Sequence, residues 1–121
     1  MSKKVMVIDD SLSIRKVVGL ALKGAGYEVL EGADGAQALD QLRLSPVNLI
    51  ICDVNMPNMD GISFLKNLRA EESLKFTPVI MLTTESQEAL KAEGMAAGAR
   101  AWIVKPFQPE QLLSAVSKLI V

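Results

Sequence analysis

The chain has 121 residues, half of them apolar, and balances 13 Lys and Arg against 14 Asp and Glu. That length and balance suit one compact domain, residues 1–121, and exclude a disordered tail, a membrane span of about 20 apolar residues and the basic excess of a nucleic-acid binder. Without a histidine there is no Ser-His-Asp triad or imidazole-held metal; the lone Cys52 closes no internal disulfide, and "MSKKVMVIDD" turns acidic too early for a signal peptide, so a cytoplasmic location is expected.

Five short apolar runs predict strands. The first, "VMVI" at 5–8, is followed by Asp9 and Asp10, and then by Ile14, Val17, Val18, Ala21 and Leu22 at helical spacing. "YEVLE" at 27–31 leads to Asp34, an N-cap for a helix carrying Leu39 and Leu42. "NLIIC" at 48–52 runs into Asp53, and Asp60 then caps a helix with Ile62, Leu65 and Leu68. "VIML" at 79–82 runs into Thr83. The helix after it, from Gln87 to Ala97, has Leu90 as its only large aliphatic besides Met95, with Gly94 near its end, so it is expected to be loosely held. "AWIV" at 101–104 runs into Lys105, and Pro109 opens a last helix with Leu112, Leu113, Val116 and Leu119. No repeat or composition shift marks a second domain.

Runs apolar throughout suit a parallel sheet covered by helices on both faces, an α/β doubly wound (βα)5 fold. Right-handed crossovers place every strand's C-terminal end on one edge, where such sheets bind ligands. Four exits therefore deliver Asp9 and Asp10, Asp53, Thr83 and Lys105 to that edge. If the first and third strands are neighbours, the three carboxylates crowd and repel, and the site wants a divalent cation. Few hard oxygen ligands with open positions favour Mg²⁺ over Zn²⁺. Lys105 can reach back to Asp53, and Thr83 can donate to a phosphoryl oxygen. A carboxylate flanked by a cation and a lysine suits phosphoryl transfer, with Asp53 as nucleophile.

Each of these residues also has a plainer reading. Asp9 or Asp10 can cap the helix starting at Ser11, Lys105 can be a solvated lysine, and Thr83 a β-branched strand end. Asn55 can serve the turn before Pro57, Trp102 can be passive packing, and Cys52 and the six methionines core filling. Gly61 reads as close packing or backbone freedom near a helix start.

"VIDDS", "CDVNMPNMDG", "MLTTE" and "AWIVKPF", in register over essentially the whole chain, resemble the receiver domain of bacterial two-component response regulators, most closely the stand-alone chemotaxis type. The resemblance implies a flavodoxin-like five-stranded parallel sheet of order 2-1-3-4-5. It implies Asp53 as phosphoacceptor, Asp10 as a direct Mg²⁺ ligand, Asp9 acting through water, and Asn55 supplying a backbone carbonyl. Lys105 and Thr83 match the lysine and the switch hydroxyl, and the peptide before Pro106 is expected to be cis. Trp102 departs from the family's Tyr or Phe. The implied protein is not a conventional enzyme but a monomer phosphorylated by a histidine kinase. Phosphorylation would draw Thr83 inward and bias the loop from Thr84 to Ser86, the fourth helix and Trp102. With no output domain, the signal would leave through a protein partner on the face of the fourth helix, fifth strand and fifth helix: a flagellar motor switch, another chemosensory component, or only a kinase for which the chain drains phosphate. A haloacid-dehalogenase-type phosphatase wants Asp-x-Asp, whereas Ser11 follows Asp9 and Asp10. A phosphate-independent scaffold would usually have lost part of the set retained here.

Overall fold

The computed structural model describes residues 2–84 and 88–121. Of the predicted 84–86 loop only Thr84 is included, and Glu85, Ser86 and Gln87 lie outside the described residues. Five strands alternate with five helices: β1 (Lys4–Ile8), α1 (Leu12–Gly24), β2 (Glu28–Gly32), α2 (Gly35–Leu44), β3 (Leu49–Asp53), α3 (Gly61–Arg69), β4 (Val79–Thr83), α4 (Glu88–Ala96), β5 (Ala101–Val104) and α5 (Pro109–Leu119). All pairings are parallel, in the order β2-β1-β3-β4-β5, the flavodoxin-like arrangement expected.

Strand alternation splits the core into two layers. Met6 and Ile8 of β1, Ile50 and Cys52 of β3, and Val79 and Met81 of β4 face α2 and α3, where Leu39, Leu42, Phe64, Leu65 and Leu68 receive them. Val5 and Val7, Leu49 and Ile51, and Ile80 and Leu82 face α1 and α5 and pack on Val18, Leu22, Leu112 and Val116. Each such aliphatic, fully buried, contributes about 1.5–3 kcal/mol of transfer free energy. Burial on both faces holds for β1, β3 and β4; β2, at the sheet's edge, keeps Glu28 exposed and Glu31 half-buried. Val17 has helical spacing but is 58% exposed.

The ends of the helices follow their side chains. Asp34 accepts from the Gln37 N–H at 2.8 Å and Asp60 from the Ser63 N–H at 2.8 Å, while Pro109 opens α5 as expected. At α1 the cap is neither aspartate but Ser11, whose hydroxyl accepts from the Ile14 N–H at 3.3 Å. In α4 only Gly94 is buried, so that helix has the thinnest apolar anchorage among the described helices. No helix among the described residues is long and apolar enough to cross a membrane.

Candidate functional site

Adjacent parallel strands bring residues of equal register to about 5 Å. β1 and β3 pair with Ile8 opposite Cys52, so the next residues along, Asp9 and Asp53, stand side by side at the C-terminal edge. Asp10 joins them, and one carboxylate oxygen from each of the three lies within 4.8 Å of the others. Asp9 is 1% and Asp53 5% exposed, whereas Asp10 faces solvent and leaves the cluster open on that side. Asp9 also accepts from the Ser11 N–H at 2.9 Å, which ties the start of α1 to the cluster.

Lys105 closes the other side. β5 ends at Val104, opposite Thr83, and the Lys105 N–H donates to the Thr83 carbonyl at 2.6 Å, which turns the lysine back over the strand ends. Its Nζ lies 3.0 Å from Asp9 Oδ2 and 3.2 Å from Asp53 Oδ1. The sequence pattern aimed this lysine at Asp53 alone; the structure gives it both buried acids. Burial pulls the ammonium's pKa down, but the hydrogen bonds and charges of Asp9 and Asp53 outweigh that and leave it raised. Burial and the neighbouring charge of Asp9 raise the pKa of Asp53, against the opposing pull of Lys105. The peptide between Lys105 and Pro106 is cis.

Three carboxylates against one lysine leave uncompensated negative charge. The donors are hard oxygens with no imidazole, which fits Mg²⁺ or a similar hard divalent cation. Cys52 is no competing ligand: its thiol points at the Asp53 carbonyl at 3.2 Å, and burial pushes its pKa well up. Thr83 ends β4, fully buried. Asn55 is exposed two residues beyond Asp53. Trp102 is half-buried against the α2–α3–α4 layer.

Two contributors carry no signal in the strand-exit pattern. Arg15 of α1 donates from Nη1 to the Asp9 carbonyl at 2.6 Å and from Nε to Glu31 of β2 at 3.0 Å, pinning the turn from which Asp9 and Asp10 project. Gly61, at the start of α3, is the second. Its N–H donates to the Val54 carbonyl at 2.8 Å, and a Cβ would collide with the carbonyl oxygen of Asp53. Beside Lys105, a hollow of about 420 Å³ lies between Ile14 and Val17 of α1 and Thr84, Pro106, Phe107 and Pro109.

Residues 5–117 match the family described as the response regulator receiver domain. The chain is 39% identical, over 98% of its length, to a probable transcriptional regulator, ycf27, of Cyanophora paradoxa, but spans only 48% of that protein. It is 47% identical to the chemotaxis protein CheY4 of Vibrio cholerae, whose structure superposes with a TM-score of 0.94 over 99% of this chain and 100% of that one. The receiver domain of the sensor histidine kinase PA1611 of Pseudomonas aeruginosa, solved with a magnesium ion coordinated in its active-site cleft, is 25% identical, with a TM-score of 0.90 over 98% of both chains.

Proposed function

Since the chain belongs to the response regulator receiver domain family, we propose that it takes a phosphoryl group from a phosphohistidine of a separate kinase onto Asp53. The observation that carries this reading is the placement of Lys105 Nζ within 3.2 Å of Asp53 beside a second buried acid, in a cluster open to solvent at Asp10. An Asp53 carboxylate oxygen attacks phosphorus, the P–N bond to the donor imidazole breaks, and its electron pair returns to the ring nitrogen, which takes up a proton. Lys105 neutralises the transferred oxygens as they leave the donor, and the Thr83 hydroxyl binds one of them. Asp10, Asp9, Asp53 and the Asn55 carbonyl would hold Mg²⁺, which supplies Lewis-acid neutralisation of the phosphoryl charge. The apolar hollow beside Lys105 gives a donor helix room to approach.

The chain acts as a cytoplasmic, monomeric signalling receiver domain rather than an enzyme on exogenous substrates. Its output is a protein partner on the α4–β5–α5 face, chemotaxis-type in view of the CheY4 likeness, either a flagellar motor switch or another chemosensory component. Labelling by a small phosphodonor with Mg²⁺ tests the reading. The wild type should form a hydroxylamine-labile acyl phosphate, and Asp53→Asn, nearly isosteric, should form none while keeping its fold. Undiminished labile label on the variant would move the acceptor to another carboxylate.

A further inference from the structure

Trp102 is larger than the aromatic its position was expected to hold, and the structure shows how the extra ring is admitted. A Cβ built on Gly94 of α4 would lie 2.6 Å from Cζ3 and 3.3 Å from Cε3 of the indole. These are atoms of a rigid ring, not the end of a flexible chain, so alanine cannot be accommodated there without moving the ring or the helix. Gly94 is also the only buried residue of α4, which means that the main anchorage of this helix is the face on which the indole rests. The indole Nε1 is buried with no hydrogen-bond partner among the described residues. A buried N–H without an acceptor is costly, so among the described residues the ring is positioned by shape rather than by a hydrogen bond.

We infer that Gly94 is a positioning residue for Trp102: the missing side chain at 94 makes a seat for the indole and thereby sets how the ring sits between α4 and β5. This deepens the phosphoacceptor reading and rests on it where the switch is concerned. A ring seated by its fit against Gly94 can shift when the neighbouring strand end is rearranged. The seat accordingly controls how far Trp102 responds to Asp53.

A stability cycle tests the seat on the full chain without metal or phosphate. Helix propensity alone makes Gly94→Ala stabilising, since its backbone is not in the left-handed region. Beside the indole it should instead lower the melting temperature, and in a Trp102→Phe background, with its smaller ring, it should raise it. Gains of equal size in both backgrounds would overturn the inference. In Gly94→Ala the emission of Trp102, the only tryptophan, should shift to the red and become more accessible to acrylamide; an unchanged spectrum and quenching would also overturn it. Beryllofluoride with Mg²⁺ should then change the wild-type emission and leave that of Gly94→Ala nearly unmoved, with binding to both confirmed by calorimetry. Equal spectral responses would overturn the part of the inference that concerns switching. Failure of both proteins to bind beryllofluoride would instead strike at the assignment of Asp53, and the stability cycle would still decide the seat.

Discussion

Two cations stand at opposite edges of the same sheet, and they are held in different ways. At the C-terminal edge Lys105 lies against the carboxylates of Asp9 and Asp53. At the N-terminal edge Arg69 of α3 donates to three neutral carbonyls: those of Lys75 at 3.0 Å, Thr77 at 2.7 Å and Gly98 at 2.8 Å. Burial, and then the charge of Arg100, lower the pKa of this guanidinium, whereas Lys105 is raised by its acids. Charged partners can be neutralised or shared with an incoming ion, so the Lys105 contacts can be rearranged by chemistry at the site. Carbonyls have no second state, so Arg69 is a fixed clamp joining the entry to β4 with the turn before β5. One edge is built to change and the other to stay.

Removing each cation should separate the two. Lys105→Met leaves two buried acids without their partner and should cost about 3 kcal/mol of metal-free stability by urea unfolding. Mg²⁺ should recover most of that loss. Arg69→Met should cost about 2 kcal/mol through its orphaned carbonyls, with no recovery on adding Mg²⁺. If Mg²⁺ rescued both variants alike, the distinction between the edges would collapse.

A smaller effect sharpens the changeable edge. Because the pKa of Asp53 is raised in the fold, the native state holds that proton more tightly than the unfolded chain does. Its contribution to metal-free stability therefore falls as the pH rises from about 4 through the raised value. Asp53→Asn, with no proton to lose there, should gain on the wild type as the pH approaches neutrality. A stability difference that stays flat with pH would remove the electrostatic basis for the effect. The raised Lys105 acts at the alkaline end, where its contribution is lost as the pH passes its folded value.

The smallest effect is spectral. Thr83→Ala should still bind beryllofluoride but show a strongly reduced change in Trp102 emission. A field effect of the added charge would survive the substitution, because its distance is the same. An equal response in the two proteins would separate Thr83 from Trp102.

The strands, the three helix-start signals at Asp34, Asp60 and Pro109, and the residues at the strand exits were legible because each leaves a local mark: an apolar run, a capping carboxylate, a proline in the first turn, or a polar residue where the run stops. Arg15 and Arg69 were not legible, since their partners are largely backbone carbonyls, which every residue has and which no residue type announces. The capping role fell to Ser11 because Asp9 was drawn to Lys105 and the Ser11 N–H. Gly94 could be noticed as a weak point in a helix, but its match to an indole eight positions later depends on how α4 lies over β5. Val17 had the right spacing yet lies exposed beside the hollow next to Lys105.

Cys52 sits one residue before Asp53 in β3, the middle strand of the sheet, with no exposed surface. Its neutral, sealed thiol is protected from alkylating reagents as long as the strands on either side remain zipped. Each molecule therefore carries a single-use clock: the rate at which iodoacetamide marks this sulfur counts openings of the sheet's centre, and any ligand that tightens the neighbouring carboxylates should slow its tick.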